Sequence, residues 1–137
     1  MFLLFLLQHD YESLRAFTYK DSEALVVCYS VVDRESFESV REFWIPEMKR
    51  YMGRKKPVIL VATQIDLRNT PNYDTDMSVT EEEGAALARE IHAEAFIECS
   101  MEQAQAPNVR KVFQNVVSAA LRFRKKKSNI LNRIFGR

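Results

Sequence analysis

The chain has 137 residues, of which 47% are hydrophobic and 28% are charged, with a net charge of +1. These values are typical of a single soluble globular domain with a sizeable core, and they give no global electrostatic field that would attract nucleic acid. The two cysteines, Cys28 and Cys99, lie in separate apolar stretches. We expect reduced thiols in a cytoplasmic protein and no disulfide framework. No Cys/His cluster has metal-ligand spacing, so the sequence predicts no metal site.

The first seven residues, Met1–Leu7, are all apolar. No basic residues precede them and no small-residue cleavage site follows them, which argues against a targeting signal. Seven residues are also far fewer than the roughly 20 that a membrane-spanning helix needs. We interpret this segment as a buried strand; the alternative is a membrane-touching or artefactual start.

The run Leu25–Ser30 is short, uncharged and rich in β-forming residues, which predicts a strand covered on both faces. A helix then opens at Asp33 and continues to Met52. Its apolar residues recur at three- and four-residue steps, as expected for a helix with one buried face. Pro46 lies inside this pattern and should kink the helix.

Val58–Ala62 predicts a second buried strand, and the polar, aperiodic residues 69–79 predict a loop. Thr80 and Glu83 have the spacing of a capping box, in which Thr80 caps the next helix and Glu83 reaches back. Ala95–Cys99 predicts a third strand. The alternation of strands with helices is typical of an α/β fold with a mostly parallel sheet flanked by helices.

The last predicted helix begins at Pro107 and carries an apolar stripe, which predicts packing against the core. The stripe consists of Val109, Val112, Phe113, Val116, Val117, Ala120 and Leu121.

A basic tail follows over residues 122–137, with seven Lys or Arg and no acidic residue. A basic cluster gains about 1 kcal/mol per residue near an anionic membrane leaflet. Apolar residues at helical spacing over 130–135 would add burial in such a surface. The alternative is a disordered, solvated tail. The cluster consists of Arg122, Arg124, Lys125, Lys126 and Lys127.

Asp66 directly follows the second predicted strand, at the position where α/β folds bind ligands. Its carboxylate can accept two parallel hydrogen bonds, such as those from N1 and N2 of guanine. An Asp after a strand is also often a turn former or a helix cap. When Asp66 is considered without its neighbours, such a structural role is the alternative to base binding. None of the three glycines begins a G-x-x-x-x-G-K-S/T phosphate loop.

Several motifs, in order, resemble those of small GTPases. Thr63–Asp66 is similar to the guanine-specificity loop N/T-K/Q-x-D, Glu98–Ser100 to the E-C-S-A loop, and Gln8–Arg15 to the switch II segment Q-E-D-Y-D-x-L-R. Three further matches are typical of the Rho branch: S-V-V at 30–32, S-F-E at 36–38 and W-x-P-E at 44–47. The resemblance implies a partial P-loop NTPase-type G domain over residues 1–121 that lacks its N-terminal strands, followed by the tail at 122–137.

The resemblance implies a role for each matching residue of the nucleotide site. Asp66 would bind guanine N1 and N2, and Thr63 would brace its loop. The stem of Gln64 would lie along the base, and Ser100 would orient Asp66 or its loop. The backbone N–H of Met101 stands where the family uses an alanine to donate to guanine O6.

The family also implies residues for catalysis and partner binding. Gln8 aligns with the glutamine that orients the attacking water. Tyr11, Leu14 and Arg15 align with the switch surface that exchange factors and effectors contact. GTP or GDP with Mg²⁺ would be the cofactors, and exchange factors, GTPase-activating proteins and effectors the partners. The implied setting is signal transduction and cytoskeletal regulation at the inner face of the plasma membrane; the chain ends without a C-a-a-X box, so we expect no prenylation.

The sequence departs from the family where the phosphates would bind. The phosphate loop with its Lys, the Mg²⁺-binding Ser/Thr, switch I and the D-x-x-G before Gln8 have no counterpart here, which indicates an N-terminally truncated form. Phosphoryl transfer depends on these groups. We therefore expect the chain alone to be deficient in GTP hydrolysis, and whether it is an enzyme stays open. The alternative is a non-catalytic interaction protein that binds regulators or effectors through switch II and the helix at 36–52.

Overall fold

The computed structural model describes residues 12–52, 56–68, 70–71, 77–100, 102 and 106–135. The strand predicted at Met1–Leu7 lies outside the described residues. So do Gln8, Tyr11 and Met101, whose predicted roles stay predictions.

Three parallel strands form the described sheet in the order β1–β2–β3. They are β1 (Leu25–Ser30), β2 (Val58–Thr63) and β3 (Ala95–Glu98). The register pairs Leu25 with Val58 and Ile59 with Ala95. β2 is central and almost wholly buried, as its uncharged sequence predicted. The three predicted strands and the α/β class are therefore confirmed, with strand ends shifted by at most one residue.

Five helices flank this sheet within the described residues. They are α1 (Glu12–Asp21), α2 (Arg34–Ser39), α3 (Ile45–Tyr51), α4 (Glu81–Glu90) and α5 (Ala106–Phe135). Successive strand residues point to opposite faces, so the sheet divides the core into two apolar layers. One layer joins Tyr19, Leu25 and Leu60 to the helices α1 to α4. The other joins Ile59 and Val61 to α5 alone.

Pro46 divides the helix predicted over 33–52 into segments. Proline has no N–H to donate to the preceding turn. The backbone widens into a π-helical turn over Val40–Trp44, closed by a hydrogen bond from the Ile45 N–H to the Val40 carbonyl. α3 then begins with Pro46 in its first turn. The interruption predicted at Pro46 thus takes the form of a π-helical turn immediately before it.

The predicted capping box opens α4. Thr80 Oγ1 accepts from the Glu83 N–H at 3.2 Å, and Glu83 Oε2 accepts from the Thr80 N–H at 2.8 Å. One turn on, Gly84 faces the sheet, where an added Cβ would clash with the Tyr29 hydroxyl and lie 2.5 Å from Cζ of Phe96. This close approach accounts for a glycine inside a helix, where it otherwise costs roughly 1 kcal/mol relative to alanine.

α5 differs most from its prediction. It continues without a break to Phe135, so the boundary predicted between 121 and 122 falls inside a helix, and the segment to 135 is helical instead of disordered. Val112, Val116 and Ala120 of the stripe are buried, as predicted. Val109 is half-buried and packs against the same layer, also as predicted. Core packing is wrong for the three remaining residues of the stripe. Phe113, Val117 and Leu121 are 55%, 45% and 55% exposed.

No helix in the described ranges is both long enough and apolar enough to cross a membrane.

Candidate functional site

A cavity of about 400 Å³ lies between the sheet and α5 and opens at the carboxyl ends of β1 and β2. Its inner walls are apolar and come from Val26, Cys28, Val61, Val109, Val112 and Phe113. Polar side chains gather at its mouth: Thr63, Gln64, Asp66, Ser100 and Glu102. The structure therefore brings together the four described residues that the sequence predicted as a base-reading site.

The loop after β2 turns sharply at Gln64, whose φ of 60° is left-handed. Such a conformation is uncommon for residues other than glycine and occurs often at functional sites. Just before it, Thr63 Oγ1 donates to the Tyr29 carbonyl at 3.0 Å. This hydrogen bond ties the start of the loop to β1.

Asp66 lies in the one-turn 3-10 helix Ile65–Leu67 that follows. Its side chain is exposed at the mouth of the cavity. An ionised carboxylate has only acceptor sites and can take two parallel N–H donors from one planar group. Asp66 therefore offers a bidentate acceptor beside an apolar slot.

Ser100 follows β3 and is buried. Its Oγ accepts from the Glu102 N–H at 3.1 Å, so the hydrogen bond that the structure gives it lies within its own loop. The predicted contact of Ser100 with Asp66 or its loop stays a prediction.

An ion pair that the sequence analysis missed joins the end of the loop after β2 to the last residue of β3. The guanidinium of Arg68 holds both carboxylate oxygens of Glu98 and donates from Nε to the Val79 carbonyl at 2.9 Å. The bond to Glu98 raises the pKa of Arg68 above its usual value. Glu98 stands in one of the motifs quoted above and Arg68 follows another by two residues, so both lie at the carboxyl ends of neighbouring parallel strands. Their opposite charges at that shared edge are the signal from which the pair could have been predicted.

Both cysteines are free, as predicted, and both line the cavity. Burial raises the pKa of Cys28 to about 12 and also raises that of Cys99. The thiolate is the nucleophilic form of cysteine. These thiols therefore stay protonated near neutral pH and serve as apolar lining.

Arg15, predicted on the partner-binding surface, is buried between α1 and α3. Its Nε and Nη2 each donate to Glu47 at 2.8 Å, and Tyr19 donates to the same carboxylate at 2.7 Å. Only 3% of the Arg15 side chain and 6% of the Glu47 side chain are exposed. Arg15 therefore makes a structural contact where an exposed side chain was expected. Leu14 lies in α1. Its predicted role in partner binding stays a prediction.

The basic cluster lies along the outer half of α5 and is exposed. Arg124 pairs with Glu23 at 2.7 and 2.8 Å, and Arg122 pairs with Glu94. A groove of about 560 Å³ beside this part of the helix gathers Lys56, Arg122, Lys126 and Lys127 around Phe123 and Ile130. Within the described residues, no group of three or more His, Cys, Asp or Glu is arranged to hold a metal ion.

Comparison with known proteins places these features in a family. A family model described as the Ras family matches residues 7–122. The Ras-like GTP-binding protein RhoL of Drosophila melanogaster is 41% identical over 115 residues, which cover 84% of this chain and 57% of that protein. The GTP-binding protein rho1 of Schizosaccharomyces pombe is 37% identical over 120 residues, covering 83% and 58%.

The chain thus spans less than three-fifths of the length of these relatives. The family match, in contrast, covers most of the chain and includes the whole of the described sheet. The chain therefore belongs to the Ras family, among the small GTPases of the Rho type.

Proposed function

We propose that this chain is a Rho-type signalling protein that reads guanine nucleotides at the cavity between β2 and α5 and acts through regulators and effectors. The observation that carries the proposal is Asp66, an exposed carboxylate at the mouth of an apolar cavity at the carboxyl end of the sheet. Two relatives whose names describe them as GTP-binding support it.

The chemistry of the site fits the base. Guanine presents N1–H and one N2–H as parallel donors, which match the two oxygens of Asp66. Its flat faces suit an apolar slot with a few convergent polar groups. Thr63 would hold the loop in place, and the aliphatic stem of Gln64 would cover one face of the ring.

The fit to the phosphates is poor. None of the described residues that line the cavity is Lys or Arg. GTP, when bound, supplies the γ-phosphoryl group whose transfer to water is promoted by positioned cations. We therefore propose that this chain by itself binds nucleotide weakly, does not hydrolyse GTP, and signals through binding.

The first test is a titration of the purified chain with fluorescent GDP and GTP, with and without Mg²⁺. Loss of a hydrogen-bonded charge costs about 1.5–3 kcal/mol, so Asp66→Ala should weaken binding roughly 10- to 100-fold. Glu102→Gln is the matched control, because it removes another carboxylate at the same cavity mouth and should leave the affinity unchanged.

A base swap sharpens this test. Asp66→Asn offers one acceptor and one donor, which suit xanthine, whose C2 carries an acceptor where guanine carries a donor. The variant should therefore prefer xanthosine over guanosine nucleotides. Binding that ignores both substitutions, or no saturable binding, would contradict base reading and favour the non-catalytic interaction protein. Magnesium-dependent phosphate release that Asp66→Ala abolishes would contradict the proposed lack of hydrolysis.

A second role, in contact with anionic membrane, is supported by the basic cluster on the helical extension of α5. Lys125, Lys126 and Lys127 are exposed side by side, and two of them line the basic groove. Each cation near an anionic leaflet contributes about 1 kcal/mol. The chain should therefore co-sediment with vesicles that contain phosphatidylserine and much less with neutral vesicles.

Changing these three lysines to Gln should remove the preference for anionic vesicles. The matched control changes the exposed Lys20, Lys49 and Lys111 to Gln, which lowers the net charge equally at other places. An equal loss of the preference for anionic vesicles in both triple variants would show that only net charge matters. Sedimentation that does not depend on the charge of the lipid would exclude membrane contact through this cluster.

A further inference from the structure

The guanidinium of Arg68 joins separate segments of the chain at the carboxyl edge of the sheet. Arg68 directly follows the 3-10 turn Ile65–Leu67, which carries Asp66. Its Nη1 donates to Glu98 Oε2 at 3.1 Å and its Nη2 donates to Glu98 Oε1, at the end of β3. Its Nε donates to the Val79 carbonyl at 2.9 Å. A guanidinium presents its donors in a rigid planar fork, so these bonds together fix the position of the group.

Val79 is a firm anchor for this guanidinium. Its side chain is wholly buried, and its N–H donates at 2.8 Å to the carbonyl of Val31, which follows β1. The carbonyl of the preceding residue, Ser78, accepts from Arg34 Nη2 at 2.8 Å. The segment before α4 is therefore held from two sides, and through Val79 it connects Arg68 to the end of β1.

The turn that carries Asp66 depends on support from its surroundings. It begins at Gln64, whose φ of 60° is left-handed. A residue other than glycine keeps this unfavourable conformation only where the surrounding structure holds it. Backbone hydrogen bonds close the turn, from Leu67 N–H to the Gln64 carbonyl at 2.9 Å and from Arg68 N–H to the Ile65 carbonyl at 3.3 Å. Because Arg68 ends the turn, the contacts of its side chain fasten that end to the sheet.

Glu98 connects the same contact to the loop that carries Ser100. Ser100 lies two residues after Glu98 and lines the mouth of the cavity together with Asp66. The side chains of Arg68 and Glu98 are 18% and 15% exposed, and both lie outside the lining of the cavity. The pair is therefore placed to set the positions of polar groups at the cavity mouth without contacting a ligand itself.

We propose that Arg68 and Glu98 are positioning residues, which hold Asp66 so that its two carboxylate oxygens meet the N1–H and N2–H of guanine together. This inference rests on the proposed function and adds the origin of selectivity for guanine. Hypoxanthine lacks the amino group at C2 and keeps only the N1–H donor. A displaced carboxylate would lose the bidentate fit to guanine, whereas a loss of folded protein would reduce the binding of both bases alike. The ratio of the two affinities therefore separates positioning from stability.

The test compares the binding of GDP and of inosine diphosphate, its hypoxanthine analogue. One hydrogen bond to a charged group distinguishes the two ligands, so the unmodified chain should bind GDP roughly 10-fold more tightly or better. Arg68→Gln and Glu98→Gln should each reduce this ratio by about threefold or more, because the bond weakens steeply with poor alignment. The double variant should reduce it no further, since the two residues act as a unit. Arg68→Lys keeps the charge without the fork and should be intermediate.

Arg41→Gln is the matched control. Arg41 pairs with Glu90 of α4 at 2.9 Å and is 51% exposed, and neither residue lines the cavity. This variant should leave the ratio of the two affinities unchanged. An unchanged ratio in Arg68→Gln, or an equal reduction in Arg41→Gln, would overturn the proposal.

Amide hydrogen exchange tests the positioning without any nucleotide. The Leu67 N–H closes the turn that carries Asp66. Its exchange should be roughly 10-fold faster or more in Arg68→Gln and in Glu98→Gln, because the turn then opens more easily. The N–H of Leu60, which is wholly buried in β2, should be unaffected. Unchanged exchange at Leu67 would overturn the proposal whether or not nucleotide binds. Faster exchange at Leu67 in a chain that binds neither nucleotide would support the positioning of the turn and contradict the proposed function.

Discussion

Tyr29 is buried with its ring edge-on to Phe37, at a centroid distance of 4.9 Å. Its hydroxyl finds no hydrogen-bond partner among the described residues. An unsatisfied buried polar group costs about 1–3 kcal/mol. Burial, together with the charge of Glu98, raises the pKa of Tyr29 above its usual value, so the group stays neutral. We therefore expect that the hydroxyl does not stabilise the fold relative to a hydrogen atom at the same position.

Tyr29→Phe should leave the free energy of unfolding unchanged or raise it by about 1–3 kcal/mol, because it removes an unpaired hydroxyl. Urea denaturation followed by circular dichroism measures the difference. Tyr19→Phe is the matched control, since its hydroxyl donates to Glu47 at 2.7 Å and its loss should destabilise the chain. Similar losses in both variants would show that the Tyr29 hydroxyl has a partner after all.

Two glutamates that pair with arginine differ sharply in their surroundings. The Arg15–Glu47 pair is almost wholly buried, whereas Arg41 and Glu90 are 51% and 50% exposed. Removing one partner of a buried pair costs about 3–5 kcal/mol, because the other charge is left uncompensated. Glu47→Gln should therefore lower the free energy of unfolding by about that amount.

Glu90→Gln removes the same group from a solvated pair and should cost only about 0.2–1 kcal/mol. Both variants are compared with the unmodified chain by urea denaturation at low and high salt. A loss in Glu47→Gln no larger than that in Glu90→Gln would mean that water reaches Arg15.

The individual site residues were predictable to different degrees. Asp66 could be placed because it follows a recognisable strand, and strand ends position ligand sites. The burial of Arg15 could not be predicted, because its partner Glu47 lies 32 residues later in the sequence. The two residues meet only when α1 packs on α3. Arg68 and Glu98 are also distant in sequence, by 30 residues. Their positions after neighbouring parallel strands did give a signal for the pair, which the sequence analysis did not use.

At the scale of elements, α4 shows how one side chain serves two contacts. Glu83 accepts from the Thr80 N–H and also pairs with Arg34 of α2 at 2.6 Å. Hydrogen bonding to Arg34, followed by that to Thr80, holds the pKa of Glu83 below its usual range. Its stabilising effect is therefore fully present above the unfolded-state pKa of about 4.3 and is lost as the pH falls through the lower folded-state pKa.

Glu83→Gln separates the two contacts. Glutamine can still reach back to the Thr80 N–H, so the variant loses mainly the ion pair, worth less than about 1 kcal/mol at this partly exposed position. The difference in stability between the two chains should be constant above about pH 5 and shrink below about pH 4. Urea titrations between pH 3 and 7 measure it. A difference that does not vary with pH would show that the charge of Glu83 contributes nothing.

Elements were predicted well where the signal is local. The capping box and the three strands follow from residues adjacent in sequence. The exposure of part of the α5 stripe could not be predicted from local sequence. The helical period shows which face of the helix is apolar, but it does not show how much of that face the sheet covers. The π-helical turn before Pro46 was also beyond prediction, since a missing N–H can be accommodated by a kink, a break or a widened turn.

At the scale of the whole molecule, one central strand joins the two apolar layers. Ile59 and Leu60 are adjacent in β2 and wholly buried, yet Ile59 belongs to the α5 layer and Leu60 to the opposite one. A core built on a shared strand should unfold as a unit.

Leu60→Ala and Ile59→Ala should therefore each cost about 2–5 kcal/mol and shift one common transition. The unfolding transition in urea is followed by circular dichroism and by the accessibility of the Cys28 and Cys99 thiols. The informative variant is Leu60→Ala, because Leu60 belongs to the layer opposite to α5, whereas both thiols line the cavity on the α5 side. The thiols should nevertheless become accessible at the urea concentration at which the helices are lost. Separate midpoints would mean that the layers unfold independently.

Trp44 is the single tryptophan of the chain and lies at the junction of α1 with α3. It is buried, with the Phe43 ring edge-on at 4.7 Å and the Arg15 guanidinium 5.5 Å from its ring. The emission of an indole shifts to longer wavelength when water reaches it and changes in intensity when a neighbouring cation moves. The protein thus contains an intrinsic optical reporter, and displacement of α1 would be read as a change in its fluorescence without any attached dye.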